Sequence, residues 1–277
     1  MRAGLRDSGY VEGKSILIEI RAADGHYERL PEIAATLVRL EIDVLVAFGS
    51  KATAAAKDAT TTVPVVFVSV GDPVALGYVR DLARPGGNLT GLATMGNDIA
   101  AKWLEQLKEA VPRVIRVAAT TNPVNPSNMP TREATLGAAM RLGLDLKRYE
   151  VREPKEFDRV FSEMVKVRVD AVMVSSDTLF RSHYNELAAL AATNRLPSVG
   201  SKEYAEAGGL IGYSVDDAEL FRRGAYFVDR ILKGTRPSDL PIERPTRFEL
   251  VINMRTAKAL DIRIPQSVLI RADRVIE

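Results

Sequence analysis

Residues 63–73 read V-P-V-V-F-V-S-V-G-D-P, and within them Val65, Val66, Phe67 and Val68 are β-branched or aromatic with no polar face. A short apolar run without alternation fits a strand covered on both sides, as in a parallel sheet flanked by helices. It belongs in a sheet centre. The run gives way to Ser69, Gly71, Asp72 and Pro73, small and turn-forming residues that bring the backbone out at the strand's carboxyl end. In open α/β sheets that end is where ligands bind. The same order, a buried strand followed by a small polar loop and a helix, recurs along the chain.

Working outward toward the N-terminus, residues 43–48 predict another buried strand, ended by Gly49 and Ser50, with Ser50 as N-cap of an Ala-rich helix over 51–60. Leu30, Ile33, Ala34, Leu37 and Val38 form one apolar stripe of a helix over 27–40. Residues 15–20 read as a strand, and residues 1–9 as the tail of an amphipathic helix closed by Gly9. Toward the C-terminus, a short helix over 74–82 leads to a turn and a strand over 89–93. A second series then begins. Helices are expected over 98–111, 131–142, 156–167 and 179–194, and strands over 116–120, 145–150, 171–174, 197–200 and 210–213. A long helix over 216–234, a Pro-rich stretch, a strand over 247–252, a helix over 254–260 and a tail with Pro265 complete the chain. Two series of alternating strand and helix predict an α/β protein of two doubly wound lobes, and two lobes imply a cleft.

Composition narrows the function. The 277 residues suit two domains, each able to bury its own sheet. With 38 basic against 36 acidic residues the net charge is +2, without a Lys/Arg cluster that would track a phosphate backbone, so nucleic acid is not an expected partner. There is no cysteine, which excludes thiolate catalysis, disulfides and Cys-ligated metals. His26 and His183 are far apart and lack ligand spacing, so neither metal nor cofactor is expected. No apolar run approaches the ~20 residues of a membrane span. Residues 9–15, G-Y-V-E-G-K-S, are one residue short of a phosphate-binding loop and precede a strand, so they read as a turn. Trp103 lies on a helical apolar stripe and reads as core.

The loops after the strands carry the functional reading. Gly49 and Ser50, then Val70, Gly71 and Asp72, then Asn122, Asn125 and Ser127, then Ser176, Asp177 and Thr178, then Ser201, and finally Tyr213 should gather at one rim if the sheets are parallel. These loops are small, hydroxylic or amide, and most open onto helix N-termini, where N–H groups favour a carboxylate. Asp72 and Asp177 are the acids that could pair with an ammonium group, and an aspartate before a helix also serves as a cap. Such a rim suits a zwitterion. No nucleophile elbow or acid–base pair accompanies it, so reversible binding is expected and an enzyme is not.

Several stretches together are similar to those of the ABC transporter substrate-binding family, whose characterised members include tryptophan- and tyrosine-binding proteins. They are G-Y-V-E-G-K at 9–14, R-L-P-E at 29–32, G-D-P-V-A-L-G at 71–77, A-R-P-G-G-N-L-T-G at 83–91, N-P-V-N-P at 122–126, G-G-L-I-G-Y at 208–213 and N-M-R-T-A-K-A-L at 253–260. The resemblance implies a type I periplasmic binding fold: two Rossmann-like lobes, three crossing segments, and a ligand held between the lobes as they close. It implies lobe 1 over 1–93 and 213–240, and lobe 2 over 94–212 and 241–277. It also implies a monomer, periplasmic or lipid-anchored outside the cytoplasm, that delivers an amino-acid-like ligand, with an aromatic one among the options, to an inner-membrane permease. The same core also serves as the ligand-sensing domain of regulators and receptors, which is the alternative function. Two departures stand out. Relatives begin with a signal sequence and a first strand, whereas this chain starts inside the first helix, so the first strand of lobe 1 is expected to be missing. Relatives carry Pro-Thr-Asp-Asn where this chain has Ser-Ser-Asp-Thr at 175–178. The aspartate stays and its neighbours change.

Overall fold

The computed structural model describes residues 1–24, 26–94, 96–126 and 128–277, with the backbone alone at 96, 97 and 128–131. In chain order, α1 (Arg2–Asp7), α2 (Leu30–Arg39), β1 (Leu45–Phe48), α3 (Gly49–Ala59), β2 (Val65–Val70) and β3 (Leu89–Ala93) come first. There follow α4 (Gly96–Ala110), β4 (Arg116–Thr121), α5 (Asn128–Arg141), β5 (Asp145–Glu150), α6 (Phe157–Lys166) and β6 (Ala171–Met173). Next are α7 (Thr178–Arg181), α8 (Tyr184–Thr193), β7 (Ser198–Gly200), α9 (Lys202–Glu206) and β8 (Ile211–Ser214). The chain closes with α10 (Asp217–Leu232), β9 (Glu249–Asn253), α11 (Met254–Ala259), α12 (Gln266–Arg271) and β10 (Arg274–Ile276). It divides into two compact units, Met1–Gly96 with Val215–Thr246, and Asn97–Ser214 with Arg247–Glu277.

The first unit is built on a parallel sheet ordered β1-β2-β3. Its centre is β2, where Val65, Val66, Phe67 and Val68 are fully buried. A run apolar on both faces can only sit where both faces are covered, and here Leu45, Ala47, Ala56 and Leu89 pack with Val65 and Phe67. On α10, Gly224 lies against Val68, and a Cβ there would meet its Cγ2 at 3.1 Å, so glycine permits the close seat of helix on sheet. The stretch after α10 stays with this unit because Thr90 Oγ1 donates to Leu240 O at 2.7 Å and Glu243 forms a parallel bridge with Leu92.

The second unit holds a seven-stranded sheet ordered β10-β9-β8-β7-β6-β4-β5. All pairings are parallel except β8 with β9. Alternation along the strands sends side chains to two buried layers. Val117, Ala119, Ala171 and Met173 join Trp103, Leu104 and Leu107 of α4, while Ala118, Val172 and Val174 join Phe157, Phe161 and Leu187. Trp103 is core, as its stripe predicts.

Five local expectations are corrected. Residues 15–20 form no strand, and Leu17 is 86% exposed, because no strand lies beside them among the described residues. Residues 74–82 are a series of turns: Tyr78 N bonds back to Pro73 O, but Gly77 has φ +66, a left-handed step that ends any helix. Ser50 is not the cap of α3, since the helix begins at Gly49 and extended Phe48 takes the cap position. The helix expected over 179–194 breaks at Ser182 and His183 into α7 and α8. The tail folds into α12 and β10, elements too short for periodicity to reveal.

Candidate functional site

In a parallel sheet every loop that follows a strand leaves at the same edge. In the second unit this brings Asn122, Asn125, Asp177, Ser201 and Ser214 to one rim. Asp177 is its centre. It lies just past β6, is 4% exposed, and has extended backbone as the N-cap of α7. Its Oδ1 accepts from Leu179 N at 2.9 Å and from Asn122 Nδ2 at 3.0 Å, while Oδ2 accepts from Asn125 Nδ2 at 2.6 Å. The side chain singled out as a candidate ligand group is thus also a helix cap. Three N–H donors on its two oxygens fix the direction of this carboxylate. Asn122 is itself fixed, 1% exposed, with Oδ1 accepting from Val124 N at 3.2 Å.

The flanking loops are cross-tied as well. Ser175 N donates to Thr120 Oγ1 and Ser175 Oγ to Thr120 O, joining the ends of β4 and β6. Buried Ser201 donates to Glu203 Oε2 at 2.7 Å, and its Oγ lies 3.2 Å from the Tyr184 hydroxyl, within hydrogen-bond distance. Lys202 N donates to Ser214 Oγ at 3.1 Å, and Lys202 Nζ pairs with Glu249 at 3.2 Å. Arg148 Nη2 donates to Thr121 Oγ1 at 2.7 Å, and burial together with neighbouring Arg132 pushes the Arg148 guanidinium below its ordinary pKa. Tyr213 is stacked on Phe248 at 5.5 Å, its backbone carbonyl accepts from Trp103 Nε1, and burial raises its hydroxyl pKa. Ser176 and Thr178 flank Asp177, the first exposed and the second half-buried. Ser127 lies outside the described residues.

The first unit has its own rim. Gly49, with φ +81, opens α3, and the Ser50 carbonyl in its first turn accepts from the Tyr78 hydroxyl at 2.8 Å. Burial, and then the charge of Asp58, push the Tyr78 pKa up to about 12. Val70 is fully buried, and only its backbone serves the rim, its carbonyl accepting from Thr94 N at 2.8 Å. Gly71 follows, half-buried, and Asp72 Oδ1 caps the next turn by accepting from Val74 N at 3.1 Å and Ala75 N at 3.0 Å. Phe48 stacks on Phe221 of α10 at 5.1 Å, which places two aromatic rings at the end of β1. Tyr78, Phe48 and Phe221 were not legible as neighbours of this rim, because their contacts are to partners distant in sequence. Among the described residues no group of acidic or histidine side chains could hold a metal ion, and no helix is long and apolar enough to cross a membrane.

Two α/β units, each built on a sheet of mostly parallel strands, match the type I periplasmic binding protein fold. Solved solute-binding proteins only 15% identical, with TM-scores of 0.58 and 0.57, share that fold. The model of the ABC transporter substrate binding protein family matches residues 1–276, and the chain belongs to this family. Among its relatives is a tyrosine-binding protein of Clostridioides difficile, 25% identical over 94% of this chain and 74% of the relative. An ABC domain from Streptococcus pneumoniae, solved in complex with L-Trp, is 27% identical with a TM-score of 0.91, covering 99% of this chain and 93% of that one. A conserved domain protein of Vibrio cholerae is 28% identical with a TM-score of 0.94, covering 99% and 92%.

Proposed function

We propose that this chain reversibly binds an amino acid, an aromatic one foremost, and presents it outside the cytoplasm to the permease of an ABC importer. The observation that carries the reading is Asp177, a carboxylate 4% exposed at a strand-tip rim and aimed by two asparagine amides. A buried carboxylate so placed matches the ammonium group of an amino acid. The carboxylate of the same ligand is assigned to the first unit, to the N–H groups and hydroxyl around Ser50 and Gly71, with the start of α3 favouring negative charge. Asn125, Ser127 and Tyr213 are assigned to the ligand's side chain. Two relatives support an aromatic ligand, one named for tyrosine and one solved with L-Trp.

No chemistry is proposed. Calorimetric titration with the twenty amino acids tests the ligand class, with tyrosine or tryptophan expected to give saturable heat; flat isotherms throughout would defeat it. Mass spectrometry of ligand recovered after long incubation should show it unchanged, and turnover would favour an enzyme instead. Uptake of labelled ligand into cells carrying a matched permease should depend on this protein, and uptake that does not would remove the transport role.

A further inference from the structure

Ser69 is the last polar residue before the end of β2, and its φ is +65. A left-handed backbone strains an L-residue with a Cβ and leaves glycine at ease. The strain is local and specific. Val68 pairs with Leu92 and Val70 with Ala93, so Ser69 is left opposite nothing and bulges from the ladder between β2 and β3. On the other side Val68 pairs with Phe48, which sets Ser69 next to Gly49, the first residue of α3. Its neighbours Val68 and Val70 are fully buried, whereas Ser69 is half-buried, and among the described residues no hydrogen bond engages its hydroxyl. A bulge at a strand tip re-aims one side chain, and unlike Asp24, Glu41, Arg168, Arg195 and Asp261, which share a positive φ, Ser69 holds it within a strand, where such strain clusters with function.

We propose that the Ser69 hydroxyl is a ligand-binding group that donates a hydrogen bond to the carboxylate of the bound amino acid. The inference rests on the reading that the first unit's rim takes the carboxylate, and it adds a residue and an atom to that reading. Glycine at this position would fold more easily and bind less well. Ser69→Gly and Ser69→Ala are compared with the unaltered protein by calorimetry, using L-tyrosine, L-tryptophan and tyramine, which lacks the carboxylate. Ser69→Gly should raise Tm by roughly 2–4 °C through relief of strain. It should also weaken the two amino acids tenfold or more, as expected for a lost hydrogen bond to a charged group, and leave the weak binding of tyramine unchanged. Ser69→Ala should lose the same affinity without the gain in Tm. Full affinity for the amino acids in Ser69→Gly overturns the proposal while leaving the amino-acid reading intact. An unaltered protein that binds none of the amino acids overturns both.

Discussion

In the second unit the loops after β4 and β6 are bonded to each other by side chains, Asn122 and Asn125 onto Asp177 and Ser175 onto Thr120. In the first unit the loops after β1 and β2 are steadied by bonds to backbone carbonyls, Tyr78 onto Ser50 and Thr94 onto Val70. The sheets beneath them differ in the same sense, seven strands against three. A rim tied by buried polar side chains on a wide sheet is preset; a rim steadied from outside, on a narrow sheet with a bulge, is easier to disturb. On the proposed reading, the two ends of a zwitterion meet unlike devices, a carboxylate fixed by side chains for one and N–H groups with serine hydroxyls for the other.

The largest test of that contrast is Gly91→Ala. Gly91 has φ +144, and a Cβ would lie 2.0 Å from Phe67 O, inside the ladder between β2 and β3. The first unit should lose more than ~3 kcal/mol, a combined effect of clash and strain. Denaturant unfolding followed by hydrogen exchange should show early loss of protection in β2 and β3 with β4 and β6 unmoved. Equal loss in both units would break the contrast. Asp177→Ala comes next: it should weaken amino-acid binding by ~2–5 kcal/mol with a smaller change in Tm, because it leaves the ligand's ammonium without its partner. Unchanged affinity by calorimetry would remove Asp177 from the site.

Tyr78→Phe should have a smaller effect, ~1 kcal/mol of first-unit stability, because it removes the bond from the Tyr78 hydroxyl to the Ser50 carbonyl. The pH dependence sharpens it. The Tyr78 pKa is raised to about 12 in the fold from a model-compound value near 10, so the folded state holds its proton longer than the unfolded chain does. Its contribution is complete below pH 10 and is lost as the pH rises toward 12. Alkaline melting curves of Tyr78→Phe should therefore flatten relative to the unaltered protein, and superimposable pH profiles would contradict the assignment. Smallest is Glu243→Gln, which loosens the surface pair with Arg223 and should change stability by less than ~1 kcal/mol.

Much of this architecture was legible in residue pattern alone. Val65–Val68 could be placed at a sheet centre because an apolar run with no polar face has one stable environment, and α4 could be placed because Ile99, Trp103, Leu107 and Val111 repeat at helical spacing. Residues 15–20 misled because a run of strand-forming residues never tells whether a partner strand exists. Gly77 shows the complementary failure: its positive φ turns a helix-like run into turns, and φ is not written in a residue's name. At the site, Asp177 was visible as an acid at a strand end, but its two asparagine donors lie more than fifty residues away in sequence. The bulge at Ser69 arises from register between two strands, which no single strand encodes.

The central claim is that one rim takes an ammonium group and the other a carboxylate. Calorimetric affinities for L-tyrosine, for tyramine and for 3-(4-hydroxyphenyl)propionate, which lacks the ammonium, test it directly. L-Tyrosine should bind at least about a hundredfold more tightly than either truncated analogue, since each leaves a charged or donor group of the site unmatched. An analogue that binds as tightly as the amino acid would contradict the account.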